Sequence, residues 1–350
     1  MGGPHSGRRS PALPWTVRAK LAALAAVQRR DGSFRRRLFS LLDRPATANP
    51  RPDASGVSSA DVTIDASRGL WARVFAPSAP APAAHDAPLP VVVYFHGGGF
   101  VALSAASRPY DALCREICRA LGAVVVSVDY RLAPRHRFPA AYDDGVAALR
   151  YLGASSALPG VPAAIDLSSC FLAGDSAGGN IAHHVAQRWA AAPTPPTSSP
   201  TVSLRVAGVI LVQPFFGGEE RTGAEVALDK ACRSLSVAAA DYYWREFLPE
   251  GATRDHAAAH VCGEDAEVAE SFPPAMVVIG GMDPLQDWQL RYAAMLQRKG
   301  KAVQVVEFPE AIHAFYAFPE LADSGKVVKA IKAFMDEPRA AQPSHQLLSS

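Results

Sequence analysis

Six short apolar runs constrain the fold of this chain more than any other feature: PVVVYF at 90–95, AVVVSVDY at 123–130, CFLAG at 170–174, VAGVILV at 206–212, AMVVIGG at 275–281 and VQVVEF at 303–308. Runs of this length, without polar alternation, suit strands buried on both faces. Such strands need cover on each side, and helix-compatible segments separate them. The alternation predicts an α/β fold, a mostly parallel central sheet with helices on both faces, with ligand sites at the carboxyl ends of the strands. Upstream, residues 62–75 alternate as a hairpin does, with a turn near Ser67-Arg68-Gly69. Two short helices are expected within 15–42, interrupted at Asp31-Gly32-Ser33. The Ala- and Pro-rich stretch 77–90 and the segment APTPPTSSP at 192–200 read as surface loops. Residues 215–262, with Tyr242, Tyr243, Trp244 and Phe247, read as an insertion between two strands that can roof a site.

With 350 residues, 49% of them hydrophobic and 19% charged, the chain suits one well-buried core plus insertions. A net charge of +2 is too small to make nucleic acid a partner, because that needs many clustered cations. Residues 1–51 nevertheless hold ten Arg and one Lys against Asp31 and Asp43, and a solvated basic face explains this more simply than a transit peptide or membrane-surface helix. The longest early apolar run, 21–27, is too short to span a bilayer, so no stable membrane insertion is expected. The opening MGGPHS matches the myristoylation pattern at Gly2, a pattern short enough to arise by chance. Cys114, Cys118, Cys170, Cys232 and Cys262 are odd in number and not densely spaced, which fits a reducing compartment, cytoplasmic or also nuclear. No residue cluster suggests a metal, and no cofactor is expected.

The chemistry concentrates at strand ends. Gly174-Asp175-Ser176-Ala177-Gly178 is a G-x-S-x-G elbow placed between a strand and a helix, where a sharp turn holds Ser176 exposed as a nucleophile. His96-Gly97-Gly98-Gly99-Phe100 follows the first strong strand, and its uncrowded amides at Gly98 and Gly99, with that of Ala177, are the expected oxyanion-hole donors. A serine hydroxyl needs a base, and the base needs a group that fixes its tautomer. Asp283 follows AMVVIGG, and His313 lies in the loop after VQVVEF, completing the order Ser, Asp, His of the α/β-hydrolase fold. Asp287 competes with Asp283, but Pro284 suits the first turn of a helix and so leaves Asp283 at the strand end. His183 and His184 are expected to pack, and His96 to brace the glycine loop.

These residues carry a resemblance. HGGGF, DYRLAP followed by FPAAYDD, GDSAGGN and DPL with a later His resemble the hormone-sensitive-lipase class of carboxylesterases. QPFFGGEERT, DYYWREFLPEG, QDWQLRYA and HAFYAFPEL resemble plant carboxylesterases close to the gibberellin receptors. The resemblance implies an amino-terminal helical lid and a cap insertion, and a substrate pocket lined by Phe100, Tyr110, Phe216 and Tyr316. The receptors replace the catalytic His, whereas His313 stands here. Where they carry an arginine for the gibberellin carboxylate this chain has Ala240, Gly99 replaces a receptor serine, and Arg135 follows DYRLAP where esterases commonly have Glu.

The expected organisation is a basic arm and lid at 1–55, a catalytic domain at 56–338 with its cap at 215–262, and a tail at 339–350. The expected activity is hydrolysis of small acyl or aryl esters through Ser176, His313 and Asp283, by a monomer or weak oligomer whose partner is a small-molecule ester. A gibberellin-like receptor and a hydroxyisoflavanone-dehydratase-type lyase are the alternatives.

Overall fold

The computed structural model describes residues 11–78, 88–155, 157–161, 164–192 and 204–337. The myristoylation pattern at Gly2, most of the expected loops at 77–90 and 192–200 and the tail at 339–350 lie outside them. All six apolar runs form strands of one eight-stranded sheet, ordered β1-β2-β4-β3-β5-β6-β7-β8. The strands are β1 (Val57–Asp65), β2 (Leu70–Pro77), β3 (Leu89–Phe95), β4 (Val124–Asp129), β5 (Ile165–Asp175), β6 (Val206–Val212), β7 (Ala275–Met282) and β8 (Val303–Ile312). The expected hairpin is β1 with β2, which pair antiparallel around the turn at 66–69. β2 also pairs antiparallel with β4, and every pairing from β4 through β8 is parallel.

Parallel neighbours need a crossover, and right-handed crossovers decide which face each helix covers. The chain moves from β3 to β4 in one direction across the sheet, then from β4 past β3 to β5 and on to β8 in the other. Helix α3 (Arg108–Leu121) therefore covers one face, where it meets the closing helix α9 (Ala322–Asp336). Helices α4 (Ala140–Ala154), α5 (Ala177–Ala191) and α8 (Gln286–Arg298) cover the other. β3 and β6 are accordingly apolar along their length, Val91, Val92 and Val93 being fully buried. The reversal falls between β3 and β5, so the crevice at their carboxyl ends is where such a sheet binds ligands.

Two additions lie beyond this core. The arm contributes α1 (Trp15–Val27) and α2 (Arg36–Leu42). The insertion after β6 contributes α6 (Gly223–Leu228), begun by a Thr222–Glu225 capping box, and α7 (Val237–Phe247), capped by Ser236. Cys114 and Cys118 are both buried on α3.

Candidate active site

β5 ends at Asp175 and α5 begins at Ala177, which leaves Ser176 alone at the turn with φ 50° and ψ −117°. A residue with a Cβ is strained at positive φ, and the surrounding backbone must hold it there. The Ser176 amide donates to the Val212 carbonyl at the end of β6 (2.9 Å), which registers the elbow on the neighbouring strand. The helix can begin so close to β3 only because residue 178 is glycine: a Cβ there would lie 1.9 Å from the Phe95 carbonyl oxygen.

Three side chains from three strand ends meet at this turn. His313 Nε2 lies 3.0 Å from Ser176 Oγ, and His313 Nδ1 lies 2.9 Å from Asp283 Oδ2. Asp283 is fully buried and its other contacts are donors, the Leu285 amide (2.9 Å) and Gln289 Nε2 (3.0 Å). A carboxylate supplied only with donors stays an acceptor, so the proton sits on His313 Nδ1 and Nε2 is free to accept from serine. Asp287 is elsewhere, on α8, where it accepts the Ala224 amide and anchors the insertion.

The loop after β3 lies beside the elbow because Phe95 pairs with Gly174. Gly98, Gly99 and Phe100 all adopt positive φ, a tight curl that two glycines make accessible. Ala177 is the first residue of α5, where an amide has no acceptor within its own helix. His96 braces this loop: Nδ1 contacts the Gly97 carbonyl at 2.8 Å, and its ring stacks on Tyr130, whose hydroxyl donates to the His96 carbonyl. Complete burial lowers its pKa to about 4, so it is neutral at pH 7.

Asp175, the residue before the serine, collects four donors on one buried carboxylate. Tyr94 (2.7 Å) and the Gly97 amide (3.1 Å) donate to Oδ1, and Tyr110 (2.8 Å) and Tyr316 (2.7 Å) donate to Oδ2. Burial raises its pKa while the tyrosine hydroxyls pull it back down. The group ties together the elbow, the glycine loop, α3 and the turn after His313. The base loop is held as well by Gln213, which bonds the peptides on either side of His313, and by Ser234, whose Oγ donates to the His313 carbonyl (2.6 Å). Sequence reasoning missed Asp175, Gln213 and Ser234. The visible signal was a polar residue directly after an apolar run, at Asp175 after CFLAG and at Gln213 after VAGVILV.

The expected pocket residues divide. Phe100 is buried against the insertion, stacked on Phe247 at 3.7 Å and touching Phe215 and Trp244. Tyr110 and Tyr316 lie at the site, with their hydroxyls committed to Asp175. Phe216 needs correction: its ring contacts are His183 on α5 and Tyr292 on α8. Consecutive residues leaving a strand point to opposite faces, and it is Phe215 that contacts Phe100, Tyr243 and Trp244. His183 bonds Tyr292 and His184 stacks on Tyr142, so both histidines pack. Ala240 is buried, and Arg135 is exposed.

The insertion packs on the glycine loop, and the arm packs on the insertion. Tyr243 lies so near Gly99 that a Cβ there would be 2.4 Å from its ring. Gln28 lies near the Tyr243 side chain, Phe34 meets Tyr242 edge-on at 6.0 Å, and Gly32 packs against the backbone of Ala238. Among the described residues no His, Cys, Asp and Glu group could hold a metal ion, and no helix is long and apolar enough to cross a membrane.

Residues 92–317 match a protein-family model described as alpha/beta hydrolase fold. The chain is 41% identical over 321 residues to the gibberellin receptor GID1C of Arabidopsis thaliana, covering 89% of each chain. It is 36% identical to carboxylesterase 20 of the same plant, covering 89% of this chain and 94% of that one. Among solved structures, a hyperthermophilic esterase from the archaeon Pyrobaculum calidifontis superposes with a TM-score of 0.71 at 28% identity, covering 93% of this chain and 98% of that one.

Proposed function

The chain belongs to the alpha/beta hydrolase fold family, among the plant carboxylesterases and gibberellin receptors, and on that premise we propose that it hydrolyses small acyl or aryl esters through an acyl-enzyme. The observation that carries this reading is the position of His313, within hydrogen-bonding distance of both Ser176 and Asp283. In the proposed reaction Ser176 Oγ attacks the ester carbonyl and passes its proton to His313 Nε2. Asp283 stabilises the resulting imidazolium through Nδ1. The carbonyl oxygen, now negative, is received by the amides of Gly98, Gly99 and Ala177. His313 then returns the proton to the departing alcohol, and a water activated by the same imidazole releases the acid.

A neutral substrate is favoured by the absence of a cation at Ala240, and an apolar or aryl group by the rings of Phe215 and Tyr243 near the glycine loop. In the same reading 1–55 is an arm and lid, 56–338 the catalytic domain with 215–262 as its cap, and 339–350 a tail. The test is pre-steady-state hydrolysis of p-nitrophenyl acetate and butyrate, with fluorophosphonate labelling followed by peptide mapping. A burst of one equivalent and label on Ser176 are expected. No burst and no label would overturn the proposal.

One observation favours a second reading, a small-molecule receptor: the arm reaches Tyr243 and Tyr242 through Gln28 and Phe34, as a segment closing over a bound molecule does. Calorimetry with a gibberellin separates the two. Saturable heat at micromolar concentration supports the receptor, and its absence at high micromolar concentration removes it.

A further inference from the structure

We propose that Gln213 is a positioning residue that sets the base against the nucleophile, so that the end of β6 registers both partners of the reaction; this rests on the esterase reading. Its side-chain amide spans the base. Nε2 donates to the Ile312 carbonyl (3.2 Å) and Oε1 accepts the Ala314 amide (2.8 Å), the two peptides that flank His313. Only Asn and Gln place a donor and an acceptor side by side at the end of one planar group. The two contacts also settle which end is oxygen, because a carbonyl requires a donor and an amide requires an acceptor.

The amide springs from a rigid base. Gln213 is fully buried, holds φ at 45°, and its own N–H donates to the Val278 carbonyl of β7 (2.9 Å). A residue with a Cβ at positive φ is held there by its surroundings, and here they include the preceding Val212 carbonyl, which accepts the Ser176 amide. One strand end therefore carries the backbone contact that places Ser176 and the side chain that places His313. The turn it clamps is not self-supporting, since Ala314 is itself at φ 64°. Gly280 on β7 supplies the slot: a Cβ there would lie 2.2 Å from Gln213 Nε2 and 2.6 Å from the Ala311 carbonyl oxygen. The arrangement thus needs two residues, a glutamine on β6 and a glycine on β7, neither of which touches the reacting atoms.

Catalysis is sensitive to displacements of an ångström or less between nucleophile and base, which cost up to about a hundredfold in rate. The experiment compares the full chain with Gln213→Met, of similar length but without either hydrogen bond, with Gly280→Ala, which fills the slot while every polar group remains, and with Leu149→Ala, a buried change in α4. Each is measured for kcat and KM on p-nitrophenyl acetate, for the rate of fluorophosphonate labelling at Ser176, and for its melting temperature. Gln213→Met and Gly280→Ala are each expected to lower kcat and the labelling rate together, by roughly tenfold or more, with KM within about twofold. Leu149→Ala should melt earlier yet keep its kcat.

Gln213→Met retaining kcat within about twofold of the parent would overturn the proposal, as would a loss of kcat that Leu149→Ala shares at equal destabilisation. If Gln213→Met does not fold, Gly280→Ala decides by the same criteria. A parent that labels but turns over no ester removes the esterase reading and leaves the positioning role to be read from the labelling rates. A parent that does neither removes both.

Discussion

The sheet end that carries Ser176, His313 and Asp283 and the roof made by the arm and the insertion are built on different principles. At the sheet end most buried polar side chains are committed, His96 Nε2 and Gln289 Oε1 excepted. Asp283, Asp175 and Gln213 are each buried and hydrogen-bonded at both of their polar atoms, and the strands that bear them pair along their length. The insertion is tied to that end by Ser234 on the His313 carbonyl, by the Ala224 amide on Asp287 and by Phe247 stacked on Phe100, whereas the arm packs on the insertion and leaves Trp15 78%, Leu41 68% and Leu42 51% exposed. A dense buried polar network resists displacement because every broken bond strands a group without water. A segment that leaves much of its apolar surface exposed, as the arm does, can open at much lower cost. On the proposed reading the chemistry belongs to the sheet end and the choice of ligand to the arm and insertion.

The largest break in this comparison is His313→Ala. Removing the base should lower kcat for p-nitrophenyl butyrate by about 10⁴- to 10⁶-fold, while the melting temperature changes little; stopped-flow turnover with a parallel thermal melt checks both. Activity near the parent's would dissociate the sheet end from the chemistry.

Acid should loosen the sheet side next. Burial lowers His183 from its ordinary 6.5 to about 3, so below pH 6.5 the unfolded chain takes up a proton that the folded chain refuses. The stability this group confers is complete above pH 6.5 and declines as pH falls toward 3, by on the order of 5 kcal/mol in full. His96 acts in the same direction, with a folded value of about 4. Melting temperatures from pH 7 to pH 4 should fall, and less steeply for His183→Gln. Equal slopes would remove His183 from the account.

Two smaller effects probe the roof. Gly99→Ser puts an atom where the Tyr243 ring lies, so either the ring or the loop must move. An approximately tenfold loss in kcat/KM is expected, partly recovered when Tyr243→Ala is added; steady-state kinetics of the pair form the cycle. Gln28→Ala should release Tyr243 without touching the sheet end. Fluorophosphonate labelling is then expected to speed up by about two- to threefold, the effect of losing one weak polar contact, with kcat unchanged. Slower labelling would mean that the arm orders the site rather than covering it.

Much of the sheet was legible because strand burial is written locally: six apolar runs became six strands, and the 62–75 alternation became part of the β1–β2 hairpin. Ser176 and Gly98-Gly99 were legible for a related reason, since a sharp turn and an uncrowded loop demand glycines at fixed offsets. Phe216 was misassigned because adjacent residues leaving a strand differ by half a turn, and no local pattern tells which of Phe215 and Phe216 faces the glycine loop. Tyr110 and Tyr316 were placed near the site, but a hydroxyl's partner is invisible in sequence when it lies 65 or 141 residues away.

What this sequence determined by itself is the kind of fold and the identity of the three side chains that meet at the strand ends, because hydrophobic period, turn glycines and chain order are properties of neighbours along the chain. Tertiary structure alone decided that one carboxylate at Asp175 would gather three tyrosine hydroxyls, that Gln213 would reach across to both sides of His313, and that Tyr243 would rest on Gly99. Each of these joins segments distant in sequence. Their geometry follows from strand order and crossover hand, which fix what becomes adjacent only when the sheet has closed.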